Sequence, residues 1–150
     1  FMGKQFGFFK VVRGLRHGDP LSPSLFIIAQ DALSRYLNHF IEVGKVTPFR
    51  NKQLIGGITH LMFTDDTILF ANGIGMSILG VNEVLEVYCK WSGQVVNREK
   101  SYFFVPNKCS ERIMMLESSL GMHKGSFPMN YLGAPVSPNS LLIKNFYMVV

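Results

Sequence analysis

Thr59-His60-Leu61-Met62-Phe63-Thr64-Asp65-Asp66-Thr67-Ile68-Leu69-Phe70-Ala71 sets two apolar runs, Leu61-Met62-Phe63 and Ile68-Leu69-Phe70, on either side of a polar step with two adjacent carboxylates. Both runs are short, unbroken and built from residues that suit strands. They predict a tight β-hairpin whose strands are buried on both faces. A hairpin turn asks for local polarity and positive φ, which Asn-Gly or Asp-Gly supplies at least cost. Asp-Asp is an unusual choice, because two carboxylates about 5 Å apart repel by roughly 3 kcal/mol at an effective dielectric of about 20. A divalent cation reverses that sign, since Mg²⁺ takes hard oxygen ligands from one or two carboxylates and from substrate phosphates. The pair reads as a solvated acidic turn or as a metal site. Its place between two apolar strands favours the metal site.

Upstream, Phe6-Gly7-Phe8-Phe9-Lys10-Val11-Val12 reads as a strand ending in a basic turn. The loop Arg13-Gly14-Leu15-Arg16-His17-Gly18-Asp19-Pro20-Leu21-Ser22-Pro23 follows, constrained by its glycines and prolines. Ser22 as N-cap and Pro23 at the first helical position predict a helix from about Pro23 to about Phe40. Leu25, Ile28, Ala29, Ala32, Leu33, Tyr36, Leu37 and Phe40 fall on one face of it, and Asp31 reads as a solvated acid. A turn-rich connection, residues 41–57, leads to the central hairpin.

Downstream, Asn72-Gly73-Ile74-Gly75 breaks the strand, and a second helix carries Ile78, Val81, Leu85, Tyr88 and Trp91 on one face, with Gly93 as its stop. Tyr102 to Val105 reads as a strand, Ser110 as the cap of a short helix ending at Gly121, and Tyr131 to Val136 as a strand with a turn. No repeat or linker divides the chain. The fold class is α+β: a small antiparallel sheet with the Asp-Asp hairpin at its centre, backed by helices.

Apolar content of 47% with 17% charge excludes a disordered protein, and 150 residues suffice for one domain with a core. No apolar run approaches the roughly 18 residues that span a bilayer, so no membrane partner is expected. The chain opens on Phe1, with no signal-peptide pattern, and is expected to be a piece of a longer intracellular protein. Net charge is +5, and Lys4, Lys10, Arg13 and Arg16 all precede the first acid, Asp19. Such a basic edge suits a nucleic-acid backbone, although an ordinary basic surface has the same composition. Cys89 and Cys109 form no metal or disulfide pattern, and the four histidines are scattered.

Four blocks in order resemble the reverse transcriptase domain of non-LTR, LINE-type retroelements. Gly14 to Pro23, with Phe26 after it, is similar to motif B, and Phe63-Thr64-Asp65-Asp66 matches the motif C box. Gly93-Gln94-Val95-Val96-Asn97 with Lys100-Ser101 resembles motif D, and Tyr131-Leu132-Gly133-Ala134-Pro135 the motif E region. The resemblance divides the chain into a partial palm domain, residues 1–136, and an unassigned C-terminal segment, residues 137–150.

That resemblance implies template-directed DNA synthesis: attack of a primer 3′ hydroxyl on the α-phosphate of a dNTP, assisted by two Mg²⁺ ions. Asp65 would be the principal metal ligand, with Asp66 assisting. Lys100 would be a cation near the pyrophosphate leaving group, or else an exposed loop lysine. Gly14, Arg16, His17, Gly18, Ser22 and Phe63 would line the template and nucleotide. Tyr131, Leu132 and Gly133 would lie near the primer, or else belong to the core. Partners would be a template–primer and dNTP.

One departure is large. The family's first catalytic aspartate precedes the motif B loop, and nothing before Asp19 is acidic. The two-ion site is therefore expected to be incomplete and the chain alone inactive. His17 also stands where glutamine is usual. Two other readings compete: a non-catalytic nucleic-acid-binding remnant, and an unrelated α+β phosphotransfer protein, which needs further acids near Asp65.

Overall fold

The computed structural model describes residues 18–48, 58–72, 75–105, 110–136 and 146–149. The strand expected at Phe6 to Val12 and the glycine-rich loop up to His17 lie outside them. Helix α1 (Ser22–Glu42) starts without the expected serine cap. Leu21 holds the N-cap position with no side-chain cap bond, and Asp19 seats the turn, its Oδ1 accepting the Leu21 N–H at 2.9 Å. Asp19 lies two residues before Leu21 and so reaches an amide that Ser22, already helical, does not. Pro23 then stands in the first turn, where no intrahelical donor is lost.

Only the second half of the predicted apolar face is buried: Leu33, Leu37 and Phe40 are enclosed. Leu25 and Ile28 are exposed, because the described elements packed on α1 meet its C-terminal half. Periodicity identifies a face; it does not say how far along the helix the partner extends.

The Asp-Asp hairpin consists of β1 (His60–Phe63) and β2 (Asp66–Ala71), paired antiparallel with Phe63 opposite Asp66. β2 is buried from Thr67 to Ala71, as expected. β1 is not, since Leu61 and Phe63 are 43% and 54% exposed. Among the described residues it is the edge strand of the sheet, paired with β2 on one side alone, and its outward residues stay in water. Helix α2 (Gly75–Ser92) buries Ile78, Val81, Leu85 and Tyr88, and the Gly93 N–H closes it on Cys89 O. Trp91, expected on the same face as these residues, is instead 65% exposed, its ring tilted at 56° against that of Tyr36 with centroids 5.0 Å apart. α2 packs so tightly that a Cβ on Gly80 would stand 2.7 Å from Lys45 O.

β3 (Tyr102–Phe104), α3 (Ser110–Leu120) and β4 (His123–Lys124) follow, with β3 and β4 parallel. Arg98 anchors this unit, its guanidinium donating to Leu120 O at the end of α3 and to Asn82 Oδ1 on α2. A separate hairpin joins β5 (Met129–Tyr131) to β6 (Ala134–Val136). Its two-residue turn puts Leu132 and Gly133 at φ +51° and +80°, the signs of a type I′ turn. Glycine accepts this freely, whereas leucine there costs on the order of 1 kcal/mol.

The last strand, β7 (Phe146–Val149), comes from the segment with no sequence assignment, yet it occupies the middle of the sheet. Strand order is β1-β2-β7-β3-β4, antiparallel except for β3–β4. Leu69, Ala71 and Phe103 on one face meet α1, α2 and α3 in the main core. On the opposite face Ile68, Phe70 and Phe104 meet Met129 of β5. The α+β class holds.

Candidate active site

Because Phe63 pairs with Asp66, the hairpin loop is two residues long, Thr64 and Asp65. Asp65 is therefore at the tip, while Asp66 is already the first residue of β2. Thr64 carries the turn with φ +48°, a conformation that β-branched residues rarely adopt. Two contacts hold it. The Thr64 hydroxyl donates to Asp65 Oδ1 at 2.9 Å, and Gln30 Nε2, from α1, reaches Thr64 O at 3.5 Å. The first orients the acid; the second is long and ties the turn loosely to α1.

Behind the turn lies an open cavity of about 380 Å³ lined by Asp65, Asp66, Thr67, Lys100 and Ser101. Leu33, Leu85 and Tyr88 give it an apolar wall, and Gln94 and Asn97 give it a polar one. The wall is ordered by hydrogen bonds. Tyr88 Oη donates to Gln94 Oε1 at 2.7 Å, and burial raises the Tyr88 phenol above its ordinary pKa, so it remains a donor. Asn97 shapes the loop that presents Lys100: its Oδ1 accepts the Lys100 N–H, and its carbonyl accepts the Ser101 hydroxyl at 2.7 Å. Thus two carboxylates and one ammonium group, distant in sequence, share one concavity.

The β5–β6 hairpin approaches from the other face. Burial first, and then the Asp66 carboxylate, raise the Tyr131 phenol, which places Tyr131 within electrostatic reach of the turn. Leu132 and Gly133 lie beyond it at the exposed tip of that hairpin. Phe63 sits beside the acids, half in water. Gly18, at φ +82°, and Ser22 flank the start of α1, and neither lines the cavity. Gly14, Arg16 and His17, with the basic edge of Lys4, Lys10 and Arg13, lie outside the described residues.

Adjacent carboxylates with solvent access are a hard-oxygen donor set suited to one face of a hydrated Mg²⁺. Among the described residues no group of three His, Cys, Asp or Glu converges to enclose a cation. The donor set therefore fits a partial site and not a closed two-ion cage.

The family model described as "Reverse transcriptase (RNA-dependent DNA polymerase)" matches residues 1–136. The chain belongs to this family. Among curated proteins, an uncharacterized mitochondrial protein of Arabidopsis thaliana is 46% identical over 55 residues, covering 37% of this chain and 45% of the relative. The chain thus matches less than half of that relative's length. No solved structure matches it.

In this member of the reverse transcriptase family no local pattern marked Gln30, whose contact with the Thr64 carbonyl spans 34 positions. Nor did any point to the clamp around His60. Ser34 Oγ lies 2.9 Å from His60 Nε2 and Thr59 Oγ1 lies 2.7 Å from Nδ1, joining α1 to β1 beside the acidic turn. Burial lowers the His60 pKa from 6.5, so the unfolded chain takes up the proton first. This contribution to stability is complete above 6.5 and is lost as pH falls below it. Urea midpoints from about pH 8 to about pH 5 are expected to drop on the acid side, and His60→Gln to flatten that drop. Equal slopes in the two proteins would rule the histidine out as its source.

Proposed function

We propose that residues 1–136 are the later part of a LINE-type reverse transcriptase palm, which holds a template–primer and an incoming dNTP for RNA-directed DNA synthesis. One observation carries this reading: Asp65, Asp66 and Lys100 line a single cavity. On this reading Asp65 and Asp66 hold Mg²⁺, with Asp65 oriented by the Thr64 hydroxyl. When bound, the cation neutralises the triphosphate and stabilises the attacking and leaving oxygens. Lys100 faces the β- and γ-phosphates as a point charge. Gly14, Arg16, His17, Gly18, Ser22 and Phe63 border the template and nucleotide, and Tyr131, Leu132 and Gly133 the primer strand. The setting is intracellular.

A third carboxylate is required for the two-ion reaction. On this reading the 150 residues by themselves, with no acid before Asp19, bind the substrates without turning them over. Two assays test this. The 150-residue chain is expected to bind poly(rA)/oligo(dT) with an affinity that falls steeply between about 50 and about 200 mM salt. It is also expected to give no Mg²⁺-dependent primer extension above blank. Robust extension, abolished in Asp65→Asn, contradicts the incompleteness; binding indifferent to salt contradicts the nucleic-acid interface. Binding untouched by both Mg²⁺ and Asp65→Asn identifies a purely non-catalytic binding remnant.

A further inference from the structure

We propose that Gln30 is a positioning residue for the acidic turn: its side-chain amide, reaching across from α1, fixes the Thr64 carbonyl and through it the direction of the Asp65 carboxylate. What that control serves rests on the metal-site reading above; the contact itself rests on geometry alone.

The turn needs a hold from outside itself. Thr64 and Asp65 are its two residues, and Thr64 keeps φ at +48°, where a β-branched side chain is strained. A residue stays in such a conformation when its surroundings over-determine it. The Thr64 hydroxyl donates to Asp65 Oδ1, inside the turn, and so does not tie the turn to another element. Among the described residues, the side-chain donor that reaches Thr64 O from elsewhere is Gln30 Nε2. Leu33, one turn further along α1, lines the cavity shared by Asp65 and Asp66, so the helix that carries Gln30 is also a wall of the site.

The other end of the amide argues that the contact is more than packing. Gln30 Oε1 is closed off from solvent and, among the described residues, has no hydrogen-bond partner. A buried acceptor without a donor costs stability, and an apolar side chain of the same length removes that cost. The amide is therefore accounted for by what its N–H does. At 3.5 Å the bond is long and adds little to folding, yet a weak tie bears on a two-residue turn that has few other anchors. A second tie between the same two elements gives an internal control. Ser34, one turn on from Gln30, meets His60 at 2.9 Å, at the start of β1 and away from the turn.

The test compares two variants of the 150-residue chain. Gln30→Met keeps the length of the side chain and removes both polar ends, whereas Ser34→Ala removes the tie at the far end of β1. Gln30→Met is expected to keep or raise the urea midpoint while weakening Mn²⁺ binding about 10-fold, the loss typical when a group that orients a metal ligand is removed. The backbone ¹⁵N order parameters of Thr64 and Asp65 should fall from about 0.85 towards about 0.6, with those of β2 unchanged. Ser34→Ala is expected to lower the urea midpoint and to leave Mn²⁺ affinity within about twofold of wild type. Wild-type Mn²⁺ affinity and wild-type order parameters in Gln30→Met overturn the positioning role. So does a Gln30→Met midpoint below that of Ser34→Ala, because the residue is then a structural tie. An equal loss of Mn²⁺ affinity in the two variants overturns it as well, since affinity then reports the docking of α1 in general. If wild type and Asp65→Asn bind Mn²⁺ alike, it is the metal-site reading that fails, and the order parameters alone decide whether Gln30 holds the turn.

Discussion

Phe103→Ala is expected to destabilise the protein by about 3–5 kcal/mol. Phe103 is fully buried at the centre of β3 and packs into the core shared with α2 and α3. Truncation to alanine removes the transfer free energy of a whole ring. It also leaves a cavity that β7 and β4, hydrogen-bonded on either side of β3, hold open. The Gly125 N–H bond to Phe103 O, at 2.8 Å, fixes the backbone there and limits collapse. Native domains of this size are stable by only about 5–15 kcal/mol, so the loss is a large share of the total. A thermal midpoint lowered by about 8–16 °C is the expected reading. Phe103→Leu, which keeps most of the volume, is expected to cost less than about 2 kcal/mol. A shift for Phe103→Ala no larger than for Phe103→Leu would contradict the packing described.

What the sequence disclosed, it disclosed through local chemistry. The extent of α2 followed from apolar spacing and from the glycine at its end. The hairpin followed from two apolar runs about an acidic step, and its turn lies where the polar residues are. Positive φ at Thr64 did not follow, because threonine is a poor carrier of that conformation and tertiary contacts impose it. The burial of β1 and of the first half of α1 was misjudged for one reason. A hydrophobic pattern records which residues could be buried, and only the arrangement of neighbours decides which are.

β4 has two polar, exposed residues and no apolar signal at all. β7 is the largest omission: Phe146 to Val149 is a plain apolar run, and nothing local marks it as the centre of a sheet. Parts of the candidate site were legible because Asp65, Asp66 and Lys100 fall in motif-like blocks. Their convergence was not, since it depends on how α2 and the Asn97 loop pack against β2. Gln94 and Asn97 stood in the motif D block, but their work in shaping the cavity wall appears only from their hydrogen bonds.

The second large effect concerns the acids themselves. Thr64 and Asp65 form a strained two-residue turn that sets one carboxylate at the tip and the next at the mouth of the cavity. Neutralising Asp65 removes a negative charge and one of the two carboxylates proposed to hold the cation, while preserving the side chain's shape and its place beside the Thr64 hydroxyl. Mn²⁺ titrated into the 150-residue chain and followed by electron paramagnetic resonance is expected to bind with a Kd on the order of 1 mM. Asp65→Asn should weaken it at least 10-fold, or about 1.4 kcal/mol. Mn²⁺ binding that is the same in wild type and Asp65→Asn would show that the turn is an ordinary solvated acidic loop.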